Sequence, residues 1–157
     1  MSIKSLFHGL LGLGTDWRVK EFAHLPGAHS EVRIVIEATT GLCERYKCPD
    51  DGSSVRHYDY APVMKWRHLN IFQHECYLEF RLPRVQCDHC GKVKTVQEPW
   101  EGKIKGFTLL FEAFALTLLR EMPVNAVTRI VGKYDTIYDA CYRPMSTRLT
   151  KRSTSVV

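Results

Sequence analysis

Cys76-Tyr77-Leu78-Glu79-Phe80-Arg81-Leu82-Pro83-Arg84-Val85, running through Gln86 into Cys87-Asp88-His89-Cys90-Gly91, is the stretch on which the reading of the fold turns. Its first part alternates apolar and polar residues, the period of a strand with one buried face. Its last part sets two thiols three positions apart with a glycine next, a tight turn that aims both sulfurs at one tetrahedral zinc. Upstream, Cys48-Pro49-Asp50-Asp51-Gly52 repeats that spacing with a carboxylate where the second sulfur would stand. Cys48, Asp51, Cys87 and Cys90 are therefore the predicted metal ligands and zinc the predicted cofactor, held less tightly than by four thiolates because a carboxylate oxygen is the harder donor. Cys43 is the substitute for Asp51 as fourth ligand. His57 and His89 are further donors nearby, with His89 expected to face solvent. The opposing reading is a lapsed metal site whose hairpin persists through packing alone.

Two more stretches read as strands: Val32 to Ala38, which is β-branched, and Trp66 to Phe72, which the polar Gln73-His74-Glu75 joins to the Cys76 run as an antiparallel hairpin. Leu6 to Leu13 reads as a short amphipathic helix. From Pro99 to Gly106 the β pattern is broken by Pro and Gly, and beyond it the period becomes helical. Phe107 to Met122 is a largely apolar helix, Pro123 opens a second over Val124 to Val131, and Gly132 stops it. Asp135 or Thr136 can cap a third over Ile137 to Tyr142, before Pro144. Helix, helix, glycine-containing turn, helix is the helix-turn-helix pattern. The expected fold is α+β: a small zinc-ribbon-like antiparallel β module over 1–102, a three-helix helix-turn-helix module over 103–144, and a basic, disordered tail over 145–157.

Hydrophobic residues make up 45% of the 157, enough for an ordered core, which excludes a disordered chain. The net charge of +5 is unevenly spread: residues 1–102 hold 13 Lys and Arg against 13 Asp and Glu, and residues 103–157 hold 9 against 4. Excess positive charge over a helical segment suits a phosphate-binding surface. Six cysteines without a convincing secretory signal point to a reducing compartment. The apolar run Phe107 to Leu119 falls short of the roughly 20 residues a membrane span needs, so no membrane association is expected.

With those motifs in place, the chain resembles the N-terminal part of the ISL-three-type insertion-sequence transposases. The resemblance rests on the Leu10-Leu11-Gly12-Leu13 start with Trp17 soon after, Cys48-Pro49, Trp66-Arg67-His68-Leu69-Asn70, Phe72-Gln73-His74-Glu75 and Pro83-Arg84-Val85-Gln86-Cys87. Further on it rests on Pro99-Trp100, Gly106 to Ala113, Met122 to Val127 and Ile130-Val131-Gly132. It implies a zinc-ribbon segment and a helix-turn-helix that bind double-stranded DNA at the element's terminal repeats, ahead of a catalytic domain whose Asp, Asp and Glu hold divalent metal. It also implies a cytosolic, nucleoid-associated protein, with a second copy or a full-length transposase subunit as protein partner. The chain departs from the family pattern at Asp51 and again after Thr136. Too few residues follow Val131 for a ribonuclease-H-like domain, so the expectation is a truncated, non-catalytic fragment.

In the helical segment, Thr136 and Tyr138 are the expected base-contacting residues, with Lys133 and Tyr134 in the turn before them and Lys103, Lys105, Arg129 and Arg143 on phosphates. Trp66, Arg67 and His68 with Arg81 and Arg84 offer either a nucleic-acid surface along the hairpin or cross-strand packing with charged edges in water. Cys76 and Cys141 read as core residues. No nucleophile or carboxylate pair accompanies His68, His74 and Glu75, so acid–base catalysis is not expected there. A second overall reading is a zinc-binding or protein-interaction remnant with no specific DNA binding.

Overall fold

The structure is a computed structural model and describes residues 2–27 and 30–132. Seven strands run in chain order as β1 Trp17–Leu25, β2 Glu31–Ala38, β3 Val55–Tyr60, β4 Met64–Ile71, β5 His74–Phe80, β6 Pro83–Cys87 and β7 Val93–Thr95. The helices are α1 Ile3–Leu10, α2 Thr40–Arg45, α3 Leu109–Glu121 and α4 Val124–Val131. The strands form two sheets, one of order β1-β2-β5-β4 and one of order β3-β6-β7.

This corrects the expected fold class. The described chain is β-rich, with two sheets, seven strands and four short helices, and is not a small β module followed by a three-helix module. Two physical reasons account for the difference. Strand β2 pairs with β5 in parallel, Val32 opposite Cys76 and Ile36 opposite Phe80, across an intervening segment that no local periodicity reports. Strand β1 breaks its alternation at a bulge between Val19 and Glu21, which erases the period of two from its sequence. The Cys76 stretch is also two strands rather than one: β5 ends at Phe80, and β6, in the other sheet, carries Cys87. The predicted third helix over Ile137 to Tyr142 and the basic tail lie outside the described residues.

The main core follows from the strands' alternation. Val32, Ile34 and Ile36 of β2 and Cys76, Leu78 and Phe80 of β5 are buried at every second position, each large apolar side chain contributing about 1.5–3 kcal/mol. Cys76 is thus a core residue, as expected. Trp100 closes this core: its ring meets Trp17 and Phe80 edge-on, with centroids 5.1 and 5.0 Å away. Leu82 and Val85 bring the smaller sheet onto the same cluster. Trp66 packs on Phe80, which decides for packing over nucleic-acid contact at that residue.

Helices α3 and α4 have a small core of their own, built from Phe107, Phe111, Ala115, Val127 and Val131. Thr108 caps α3, its hydroxyl accepting from the Phe111 N–H. Gly132 ends α4 at a φ of 69°, the left-handed C-terminal turn that favours glycine. The helical pair is tied to β4 at His68, whose Nδ1 lies 2.8 Å from Thr108 Oγ1.

Burial, with the Arg67 charge adding to it, pulls the His68 imidazole down to about 4. Its unfolded value is about 6.5, so between those pH values the unfolded chain binds more protons and stability falls as pH drops. The loss begins below about 6.5 and is complete near 4, with a ceiling of about 3 kcal/mol. Urea unfolding at pH 7 and pH 4.5 should therefore show a steeper pH loss for the native chain than for His68→Gln. Equal losses in both would remove His68 as the cause, because protonation of the other groups weighs on both proteins alike.

Candidate metal centre

Two turns with matching backbone bonds build the site. In the first, the Gly52 N–H donates to the Cys48 carbonyl (2.8 Å) and the Cys48 N–H to the Ser53 carbonyl (3.0 Å). In the second, the Gly91 N–H donates to the Cys87 carbonyl (3.1 Å) and the Cys87 N–H to the Lys92 carbonyl (3.0 Å). Gly52 and Gly91 both take a positive φ, 72° and 68°, which is why a glycine follows the second donor in each turn. The correspondence places Asp51 in the first turn where Cys90 stands in the second.

The turns face one another so that one ligand atom each from Cys48, Asp51, Cys87 and Cys90 lies within 4.8 Å of all the others. In a tetrahedral site with Zn–S near 2.3 Å, two sulfurs stand about 3.8 Å apart; Cys48 Sγ and Cys90 Sγ are 3.9 Å apart. Asp51 Oδ1 and Oδ2 stand 3.7 and 3.6 Å from Cys87 Sγ. The donor set fits zinc in both spacing and chemistry. Cys48 and Cys87 are buried, Cys90 half-buried and Asp51 at the rim.

Local electrostatics favour the ionised forms of Asp51 and Cys87 but not that of Cys48. The Ser53 backbone N–H donates to Asp51 Oδ1 at 2.9 Å and is the main cause holding that carboxyl well below the usual carboxylate range, so Asp51 is available as an anion. The Cys90 backbone N–H, 3.4 Å from Cys87 Sγ, leads the interactions that lower the Cys87 thiol. Against the lowering pull of the Asp50 N–H, burial and the neighbouring Cys87 and Asp51 push Cys48 up to about 11.

Other sequence-expected donors fall outside the cluster. Cys43, on α2, packs against the main core. His57 lies against Tyr60 in a tilted arrangement, with ring centroids 4.7 Å apart. His89 is exposed, as expected, but its Nδ1 lies 3.2 Å from Asp51 Oδ2, where it supports the carboxylate from the solvent side. Sequence reasoning missed the clamp on the first turn: Lys92 and Lys94 Nζ reach Asp50 at 3.1 and 3.2 Å. Two lysines at strand spacing after the second turn were the available signal.

Of the residues expected at DNA, Lys103, Lys105 and Arg129 are described and exposed, while Lys133, Tyr134, Thr136, Tyr138 and Arg143 lie outside the described residues. Lys103 and its neighbour are anchored by Glu112, whose carboxylate accepts the backbone N–H groups of Lys103 (3.0 Å) and Ile104 (2.5 Å). Arg67 does not join a nucleic-acid surface, being 2% exposed, and Arg84 is paired with Asp59. No described helix is long and apolar enough to cross a membrane.

This geometry is that of a zinc ribbon, two facing turns that close on one metal. Residues 44–90, which include all four clustered donors, match the family model described as the zinc-finger of transposase IS204/IS1001/IS1096/IS1165. No curated protein and no solved structure matches the chain. The matched segment is similar to that zinc-finger domain, which is non-catalytic, and the clustered side chains are compatible with zinc.

Proposed function

We propose that this chain is a DNA-binding part of a transposase, in which Cys48, Asp51, Cys87 and Cys90 hold zinc and the 103–144 segment grips the duplex. The observation that carries the reading is the coincidence of a closed cluster of three sulfurs and one carboxylate with the matched transposase zinc-finger segment. Zinc supplies a fixed crosslink between the two turns. Lys103, Lys105, Arg129 and Arg143 neutralise phosphates, and Thr136 and Tyr138, with Lys133 and Tyr134 before them, contact the bases of a terminal repeat. The Glu112 anchor supports this assignment, since it fixes the backbone from which Lys103 projects.

The chain binds DNA without cutting it. Two-metal phosphodiester chemistry needs a set of carboxylates, whereas the matched segment is similar to a zinc finger, a non-catalytic domain. Incubation of terminal-repeat duplex with the pure protein and magnesium or manganese should give no strand cleavage. Sequence-specific nicking would overturn the non-catalytic assignment.

A gel-shift titration across salt concentrations tests the binding itself. Log affinity should fall by about 0.9 per phosphate neutralised for each decade of salt. Lys103→Ala, Lys105→Ala and Arg129→Ala should each weaken all duplexes alike and lower the slope by about 1, while Tyr138→Ala should remove preference for the terminal repeat. Absence of duplex binding at low salt would favour the second reading, a zinc-closed protein-interaction module.

A further inference from the structure

Away from the metal centre, a groove with a volume near 470 Å³ opens on the outer face of the larger sheet, where the smaller sheet meets it. Val35, Tyr60 and Val63 line it together with Arg18, Lys20 and Arg81. The volume lies in the range of small-molecule sites.

Charge in the groove is out of balance. Glu37 is shared by Arg18 and Lys20, at 2.7 and 3.4 Å, and those two cations hold its carboxyl below its ordinary value against the opposing effect of burial. Glu79 is engaged by Arg33 at 3.6 Å. Arg81 makes no ion pair among the described residues and is exposed. The groove therefore presents an uncompensated guanidinium, a second cation shared on one carboxylate, and an aromatic ring that is 52% exposed. His57, which does not line the groove, lies tilted against Tyr60 with ring centroids 4.7 Å apart, which limits the freedom Tyr60 would lose on stacking.

We propose that this groove binds one nucleotide unit, its phosphate at Arg81 and Lys20 and its base against the Tyr60 ring. Phosphate on cations with a base on an aromatic face is the pairing by which proteins hold single strands without reading sequence. Duplex DNA keeps its bases stacked inside, so the groove takes a strand end, an unpaired segment or a free nucleotide. The proposal rests on the groove and not on the duplex-binding reading above.

The test uses the full zinc-loaded chain and fluorescence anisotropy of a labelled twelve-residue oligothymidylate, with unlabelled thymidine monophosphate and inorganic phosphate as competitors. Tyr60→Ala is expected to weaken oligothymidylate binding about 10-fold. Arg81→Ala is expected to weaken it several-fold and to lower the salt slope by about 0.7. Tyr60→Phe, which keeps the ring, should bind as the native chain does, and Lys4→Ala, a charge removed from outside the groove lining, should change nothing. If thymidine monophosphate displaces the probe, a free nucleotide is a ligand; if only unlabelled oligothymidylate does, the ligand is a strand. Both outcomes support the groove. Displacement by inorganic phosphate at equal concentration would reduce it to a plain anion site and overturn the nucleotide assignment, as would unchanged affinity in Tyr60→Ala and Arg81→Ala. Duplex retention in the gel shift is read separately: its loss with oligothymidylate binding intact strikes the duplex reading alone, and the converse strikes the groove alone.

Discussion

Cys87→Ala, or exhaustive chelation of the native chain, is expected to open both turns of the ribbon and lower the melting temperature by about 10 °C. Ligand linkage gives about 4 kcal/mol of stabilisation when free metal exceeds its Kd a thousand-fold, and a chain of this length shifts by about 2–4 °C per kcal/mol. The larger sheet should survive, because its core of Ile34, Leu78 and Phe80 does not include the metal donors. Amide exchange should therefore speed up at Gly52, Cys87 and Gly91, whose N–H bonds close the turns, and stay slow at Ile34 and Leu78. Elemental analysis should find about one zinc per native chain and none in Cys87→Ala. Asp51→Cys should bind zinc more tightly, since a fourth thiolate replaces a harder oxygen. A native chain without zinc, melting unchanged in chelator, would remove the metal from the fold altogether.

Short-range chemistry was the legible part of this sequence. Cys87-Asp88-His89-Cys90-Gly91 and Cys48-Pro49-Asp50-Asp51-Gly52 have one spacing because they make one turn, and the structure brings all four donors together. The β4–β5 hairpin and helices α3 and α4 were likewise visible, since their periods and their stop at Gly132 are local. Pairing between distant strands was not legible: nothing within β2 announces that β5 lies beside it in parallel, or that β1 closes the far edge. Strand β3, Val55–Tyr60, exposes Arg56, His57, Tyr58 and Tyr60, so it lacks a buried stripe long enough to show a period of two. Its pairing with β6 also shifts register between His57 and Asp59.

Arginine 67 shows the same limit in a single side chain and carries the second large expectation. Its sequence context, beside Trp66 and His68, suits a surface cation. In the structure it is the joint between the larger sheet and the helical pair. Its backbone N–H donates to the Gly106 carbonyl (2.8 Å) and its carbonyl accepts the Thr108 N–H (3.0 Å). Its guanidinium donates to the carbonyls of His68 (2.5 Å) and Cys76 (3.2 Å) and to Asn70 Oδ1 (2.5 Å), and it lies 5.0 Å from the centre of the Phe111 ring on α3. Glu75 Oε2, 4.0 Å from Nε, is its carboxylate neighbour. Removing a buried charge from such a set leaves its acceptors without donors, at a cost of about 3–5 kcal/mol. Arg67→Ala should therefore lose that much in urea unfolding, with exchange accelerated first in α3 and α4, where the lost contact with Phe111 loosens the helices from β4. Arg67→Lys should recover only part of the loss, because an ammonium on a flexible stem cannot match a planar fork that meets three acceptors and a ring at once. A loss below about 1 kcal/mol, the scale of an exposed ion pair, would show that Arg67 is a solvated surface charge after all and that the helices are held to the sheet by their apolar contacts alone.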